Sequence, residues 1–232
     1  MRRLTRYGVI VAAGMIAAGC TAGSQTSSSS GGSGNGNKAA SNSSLTISNE
    51  AGQLWSCGFN PLNPTFTMLS YGFVYEPLVY VNPLQQGKTT PMLASSYKWG
   101  AGNKTLTFTI RSGVKWSDGT PMTANDVAYT FNLIKKNSAL DLTGAWSVLS
   151  SVTASGDTVT MNFSKVAVPY FYYIADQVPI VPEHIFSKIA NPVTDPVKAP
   201  IGTGPFTMSK CTPQNITYKA NPNYWQPGTG SF

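Results

Sequence analysis

The sequence predicts a mixed α/β globular fold, because patterns typical of strands and of helices alternate along it. Leu106, Phe108 and Ile110 alternate with threonines, as in a strand with one buried face. A β-hairpin is predicted over residues 152–163, where a Gly-Asp dipeptide lies between two alternating apolar runs and suits a two-residue turn. A helical pattern lies between these strands, so short strands and short helices are expected to share one core.

The helix between the strands has a clear start and a clear buried face. Thr123 is predicted to be its N-cap, and Asp126, three residues on, completes a capping box and suits the positive end of the helix dipole. Val127, Phe131 and Ile134 recur at helical spacing and are predicted to face the core. Two lysines follow near the helix end, where cations are favoured.

A second helix is predicted to open at Pro182, a residue favoured in the first turn, and to run through Ile185, Phe186 and Ile189. His184, the only histidine in the sequence, falls in its first turn. A single histidine without a second ligand at helical spacing does not make a metal site. We therefore expect His184 on the helix surface and predict no metal site.

The composition is that of a globular protein with a modest positive charge. Of the 232 residues, 41% are hydrophobic and 11% are aromatic, which is enough to bury a core. The formal net charge is +7, but Arg2, Arg3 and Arg6 lie in a predicted targeting segment, and removing these three leaves an excess of four basic residues. The remaining basic residues form no stripe, so no nucleic-acid partner is predicted.

Residues 1–19 are predicted to be a signal peptide, since a basic start is followed by a short apolar run. Cys20 ends an Ala-Ala-Gly-Cys segment that resembles a bacterial lipobox, in which the peptide is cut before the cysteine and its thiol is lipid-modified. The alternative is an ordinary secreted protein with an incidental cysteine. The lipobox predicts a protein that is exported and lipid-anchored at the outer face of the cell membrane, or periplasmic.

The residues after the lipobox predict a flexible tether. Between Thr21 and Ser44 there are 9 Ser, 5 Gly and 3 Asn. Such a chain cannot bury enough apolar area to offset the entropy lost on ordering. Residues 20–44 are therefore expected to link the lipid to a folded body that begins at Leu45.

Four blocks along the chain resemble the family 5 extracellular solute-binding proteins, which are the peptide- and nickel-class receptors of ABC importers. The signature block, residues 114–127, contains the run Trp116-Ser117-Asp118-Gly119-Thr120-Pro121. The other blocks are residues 62–64 with 75–78, residues 168–171, and residues 202–206 with 221–225. The similarity covers about Leu45 to Trp225, and it identifies the chain as a member of that family.

The signature block has the chemistry of a scaffold. Asp118 can accept hydrogen bonds from the backbone that follows it, and Gly119 can take a positive φ, so the block predicts a turn between a strand and the capped helix. Trp116 is expected to pack beneath this turn.

The resemblance implies a two-lobed fold like that of periplasmic binding proteins, with an extra subdomain and closure at a hinge. On that template, residues 45–78 begin the first lobe, residues 79–176 form the inserted subdomain, and residues 177–232 continue the first lobe. Family members continue for several hundred residues more. The chain is therefore expected to be an N-terminal fragment that holds only the first lobe and the inserted subdomain.

The resemblance also implies a set of cleft-facing residues. They are Thr67, Met68, Trp146, Gly202, Thr203 and Gly204. Glycines at 202 and 204 would let a peptide-like ligand approach the backbone, although a tight turn would explain them equally well. Burial in the core is the alternative for Trp146.

The function implied by the resemblance is capture of a solute outside the membrane and its delivery to the transmembrane subunits of an ABC permease. Short peptides are the predicted cargo, and nickel chelates and oligosaccharides are the alternatives within the class. A monomer without a cofactor is expected. No catalytic motif occurs in the folded part, so we predict a protein that is not an enzyme. The rival classes are a secreted hydrolase whose catalytic half is missing and a truncated product that binds nothing.

Two cysteines remain if Cys20 is lipidated. An even number in an exported chain permits one disulfide, between Cys57 and Cys211, which would stabilise the fold by about 4–5 kcal/mol on the chain-entropy model. Two free, buried thiols are the alternative.

Overall fold

Short antiparallel strands dominate the fold. The computed structural model describes residues 44–48, 54–66 and 70–226. The strands are β1 (Ser44–Ser48), β2 (Val79–Asn82), β3 (Lys88–Pro91), β4 (Ala94–Trp99), β5 (Thr105–Ile110), β6 (Leu149–Ser155), β7 (Thr158–Phe163), β8 (Phe206–Cys211) and β9 (Asn215–Ala220). The helices are α1 (Ala124–Lys136) and α2 (Glu183–Phe186).

A four-stranded sheet holds the alternating strand and the hairpin that the sequence predicts. Its order is β4-β5-β7-β6, and all neighbours are antiparallel. Leu106, Phe108 and Ile110 of β5 are buried, which confirms the predicted face. Gly156 takes a φ of 60° in the turn between β6 and β7, as the first position of a two-residue hairpin loop requires.

Helix α1 packs against β6 as its hydrophobic stripe predicts. The backbone N–H of Thr123 donates to Asp126 Oδ2 at 2.8 Å, so the predicted N-terminus is confirmed. Val127, Phe131 and Ile134 are buried beneath the helix. Burial of such side chains contributes about 1.5–3 kcal/mol each, so this face holds the helix on the sheet.

The predicted second helix is wrong in its length. Helix α2 has only four residues and ends at Phe186, with Pro182 as its N-cap and Ile189 beyond it. The N–H groups of Lys188 and Ile189 bond three residues back, to Ile185 and Phe186, so the backbone tightens into turns after the helix.

The turn of the signature block lies against α2. Asp118 accepts a hydrogen bond from the Thr120 N–H at 3.0 Å, Gly119 has a φ of 89°, and Trp116 is fully buried. His184 Nε2 lies 2.8 Å from Asp118 Oδ2, and both side chains are partly exposed. Burial raises the pKa of Asp118, but the hydrogen bonds from His184 and Thr120 outweigh it, so the pKa lies below its usual range. His184 therefore lies on the surface, as predicted, where it ties α2 to the turn.

A three-stranded sheet joins the two ends of the described chain. Its order is β1-β9-β8, with Ile47 opposite Ile216. A disulfide between Cys57 and Cys211, whose Cα atoms are 5.8 Å apart, links the segment after β1 to the end of β8. None of the helices in the described ranges is long or apolar enough to cross a membrane.

Candidate functional site

Gly202, Thr203 and Gly204 run along the backbone of residues 73–74. The Gly204 N–H donates to Val74 O at 2.8 Å. A Cβ atom at Gly202 would stand 1.9 Å from Val74 O, and one at Gly204 would stand 2.5 Å from Phe73 O. Such separations are far inside van der Waals contact. The glycines therefore allow a close backbone approach, and the backbone that approaches is the chain's own.

The other side of the same segment is also covered. The Ser117 N–H donates to Gly202 O at 2.8 Å, which joins the segment to the signature turn. All three residues from 202 to 204 are buried. Contact between this segment and a ligand stays a prediction, since the structure gives its glycines a packing role.

Glu76 is a buried carboxylate close to the contact between residues 202–204 and residues 73–74. Its side chain is 1% exposed and accepts hydrogen bonds from Tyr224 Oη and Trp225 Nε1, both at 2.9 Å. Burial raises the pKa of Glu76, and the hydrogen bonds from Trp225 and Tyr224 only partly oppose this. The Arg111 guanidinium lies 4.3 Å from the centre of the Trp225 ring. Two blocks of the family resemblance, residues 75–78 and 221–225, thus meet at one carboxylate.

Replacing Glu76 with Gln should lower the free energy of unfolding by about 2–3 kcal/mol, because the new NH2 group cannot accept and leaves Tyr224 or Trp225 without a partner. Tyr224→Phe should cost about 1–2 kcal/mol, since it removes one donor and leaves the other in place. Denaturant titration measures both. Glu183→Gln, which changes an exposed acid in the first turn of α2, is the matched control and should cost less than about 1 kcal/mol, the contribution of the helix dipole. Equal values for the Glu76 and Glu183 variants would contradict this account.

Trp146 packs on helix α1. Its Nε1 donates to Phe131 O at 2.8 Å, and its backbone N–H donates to Asp141 Oδ2 at 2.9 Å. Lys135 Nζ lies 4.4 Å from the ring centre. The indole is partly buried against the core, so a place in a ligand cleft stays a prediction for this residue.

One turn of π-helix over Tyr172–Asp176 packs against β2. The Gln177 N–H donates five residues back to Tyr172 O at 3.2 Å. Tyr71 donates its hydroxyl hydrogen to the backbone oxygen of Asp176. The Asp176 carboxylate accepts from the Val81 N–H at 3.2 Å and from Gln177 Nε2 at 2.7 Å. Single π-turns occur frequently at functional sites.

This tyrosine-rich turn is not among the sites predicted from the sequence. The signal that could have found it is the run Tyr170-Phe171-Tyr172-Tyr173, which begins in the family block at residues 168–171 and lies just before Asp176. What could not be read from the sequence is the partner strand, because Tyr71 and β2 lie about a hundred positions earlier.

One concave region adjoins the residues that follow this turn, at Gln177 and Val178, and another lies at Arg111 and Trp225. A small cavity of about 30 Å³ is lined mainly by apolar side chains, among them Leu62, Ile134, Leu140 and Val178. A wider depression of about 650 Å³ is bordered by Ser95, Arg111, Asp157 and Trp225 among others. The first is far below the roughly 300–1,000 Å³ of ordinary ligand sites. In the described ranges, no three His, Cys, Asp or Glu side chains come together as metal ligands.

Several predicted functional positions lie outside the described residues. They are the signal peptide at 1–19, Cys20 and all of the tether except Ser44, and the predicted ligand contacts Thr67 and Met68.

Comparison with solved structures shows the class of protein that this fold defines. A periplasmic oligopeptide-binding protein of Thermotoga maritima, crystallised with mannohexaose, matches with a TM-score of 0.67 and 27% identity over 75% of this chain and 32% of its own. NikA of Brucella suis with Fe(III)-EDTA matches with a TM-score of 0.62 and 26% identity over 75% of this chain and 36% of its own. The fold is therefore that of the periplasmic binding proteins.

Residues 88–232 match the family described as bacterial extracellular solute-binding proteins, family 5 Middle. The chain belongs to that family, which confirms the resemblance carried by the four sequence blocks.

Curated relatives agree with the family assignment. The nickel-binding periplasmic protein of Escherichia coli K12 is 30% identical over 188 residues, which are 76% of this chain and 35% of that protein. Protein XP55 of Streptomyces lividans is 36% identical over 136 residues, which are 56% of this chain and 24% of that protein. The chain thus spans about a quarter to a third of the length of the curated relatives it matches.

Proposed function

We propose that this chain is part of the solute-capturing component of an ABC importer and that short peptides are its cargo. The observation that carries the proposal is the family match over residues 88–232. Support for a peptide comes from a structural relative, the oligopeptide-binding protein AppA of Bacillus subtilis, solved with a nonapeptide and 26% identical with a TM-score of 0.57.

The proposed mechanism is hinge closure. A ligand that contacts two lobes binds the closed state better than the open one, so it shifts the population toward closure, and the permease recognises that state. No bond is made or broken. Residues 45–78 and 177–232 are assigned to the first lobe because β1, β8 and β9 form one sheet. Residues 79–176 are assigned to the inserted subdomain because strands β2 to β7 pair only among themselves in the described chain.

The proposed location is outside the cytoplasmic membrane. The basic and apolar residues at 1–19 support export, and the lipobox-like segment supports a lipid anchor at Cys20. The tether over residues 20–44 would let a monomeric folded body reach the transmembrane subunits of a permease.

The cargo is tested by calorimetric titration of the chain with tri- to pentapeptides, mannohexaose and a nickel–histidine chelate. We expect heat from the peptides only, with weak affinity, because one lobe offers one wall of a cleft. Heat from mannohexaose or the chelate but not from peptides would overturn the peptide cargo. The nickel chelate is included because the Escherichia coli relative is a nickel-binding protein.

A further inference from the structure

Two depressions at the end of β5 share a border. The larger has a volume of about 650 Å³ and the smaller about 220 Å³, and both are lined by Ile110, Arg111, Ser112 and Asp157. The larger lies within the roughly 300–1,000 Å³ of ordinary ligand sites. The predicted cargo contacts that lie in the described ranges border neither depression. The proposed cleft therefore does not account for this place.

Arg111 is held in a fixed orientation at the shared border. Its Nε donates to Met92 O at 2.8 Å, and its Nη2 lies 3.5 Å from Pro91 O. The guanidinium lies over the Trp225 ring, 4.3 Å from its centre, and Trp225 Nε1 in turn donates to Glu76 Oε2 at 2.9 Å. A guanidinium has five N–H donors, so those not directed at the two backbone oxygens remain available to a ligand.

Asp157 brings a carboxylate to the same border. It lies in the turn between β6 and β7, and its backbone oxygen accepts from the Ile110 N–H at 2.7 Å, which fixes the turn beside the end of β5. Its side chain is exposed, and Oδ1 accepts from Thr158 Oγ1 at 3.2 Å. A carboxylate has about four acceptor positions, so Asp157 can also accept from a ligand.

The two charges stay separate although they border the same depressions. Arg111 and Asp157 form no ion pair, either with each other or with another side chain in the described ranges. The contacts with Met92 and Trp225 direct the guanidinium toward β4 and the end of the described chain, while Asp157 lies on the turn that follows β6. One depression is thus bordered by a cation and an anion that do not neutralise each other.

This arrangement suits a small molecule that carries both charges. Arg111 would repel a simple cation, and Asp157 would repel a simple anion. A metal ion fits less well, because the described residues bring no three acidic, His or Cys ligands together here. A guanidinium binds a carboxylate through two parallel hydrogen bonds, and a carboxylate binds an ammonium group through charge-assisted ones. A zwitterion satisfies both groups at once.

We propose that Arg111 and Asp157 bind a small zwitterion at this depression, with its carboxylate on Arg111 and its ammonium group on Asp157. A free amino acid and a short peptide with unblocked termini share this chemistry. The inference goes beyond the proposed function, since this site is additional to the cargo cleft.

The test is an NMR titration of the 232-residue chain with trialanine, N-acetyl-trialanine and trialanine amide. We expect trialanine to shift the signals of the Gly113 amide and of Trp225 Nε1–H, two groups that border the depression. The affinity is taken from the Gly113 signal, so that binding elsewhere does not contribute. Loss of either terminal charge should weaken binding about three- to tenfold, because each loss removes a charge-assisted hydrogen bond.

Two variants assign the two ends of the ligand. Asp157→Asn should remove the advantage of trialanine over its acetylated form and preserve its advantage over the amide. Arg111→Gln should do the reverse. Asp157 lies in an exposed turn, so its variant tests the site even if Arg111→Gln, which loses the contact with Trp225, does not fold. Glu183→Gln, which changes an exposed acid that borders neither depression, should leave both ratios unchanged.

The outcomes separate this site from the proposed cleft. Equal affinity for the three probes, ratios that survive Asp157→Asn, or unmoved Gly113 and Trp225 signals would each overturn the site. If Trp146 Nε1–H alone shifts, the site is wrong and peptide capture at the predicted cleft stands. Free alanine identifies the source of the ligand: affinity equal to that of trialanine indicates an amino acid, and weaker binding indicates a peptide.

Discussion

Replacing Cys57 and Cys211 with serine should lower the free energy of unfolding of the chain by about 4–5 kcal/mol. The disulfide spans 154 positions, so its loss frees a long loop in the unfolded state and raises the entropy of that state. Cys57 also has a φ of 52°, a left-handed conformation that a residue with a side chain adopts at a cost. Denaturant titration measures the loss, and the thermal midpoint should fall by roughly 10–20 °C.

Reduction provides the control for this experiment. Dithiothreitol should shift the unfolding curve of the wild-type chain to that of the double variant and leave the double variant where it was. Each single serine variant should behave like the double variant, since either one breaks the bridge. A wild-type curve that is insensitive to reduction, or single variants that are half as destabilised as the double, would contradict the assigned role of the bridge.

Gly202→Ala should lower the free energy of unfolding by about 4 kcal/mol or more, beyond the usual cost of overpacking. The new Cβ would stand 1.9 Å from Val74 O, and a backbone oxygen cannot rotate away as a side chain can. Relief requires separating residues 202–204 from residues 73–74, which breaks the hydrogen bond between the Gly204 N–H and Val74 O. Gly204→Ala should also lower the free energy of unfolding, since its Cβ would stand 2.5 Å from Phe73 O.

Gly113→Ala is the matched control, since Gly113 has a φ of 77° and a Cβ atom added there would meet nothing within 4 Å. It should cost only about 1–2 kcal/mol, the price of a left-handed backbone without a clash. Denaturant unfolding of the three glycine variants distinguishes the cost of a left-handed backbone from the cost of a steric clash. Comparable losses in the free energy of unfolding for Gly202→Ala and Gly113→Ala would show that the close approach to Val74 does not require a glycine at position 202.

Local structure was largely predictable from the sequence. The alternation of Leu106, Phe108 and Ile110 and the capping box at Thr123 depend on residues a few positions apart, and both are confirmed. The predicted extent of α2 was wrong. Apolar residues continue at helical spacing from Ile185 to Ile189, but the backbone after Phe186 forms tighter turns and not a helix.

The candidate site was less predictable. The sequence marked Gly202 and Gly204 as positions of close approach but did not show that Val74 and Phe73 are the partners. It also missed the contacts that Tyr71 and Val81 make with the π-turn, since no local pattern relates residues 71 and 81 to residues 172–176.

The sequence alone determined the family, the mixed α/β class and the elements whose signals are periodic or capped. These follow from side chains that recur every two or about every 3.6 residues, so neighbouring positions contain the information. Only the tertiary structure decided that β1 pairs with β9, that Cys57 meets Cys211 and that Glu76 accepts from Tyr224 and Trp225. Contacts of that kind join positions roughly 150 or more residues apart, and they depend on how whole sheets pack, which no short pattern records.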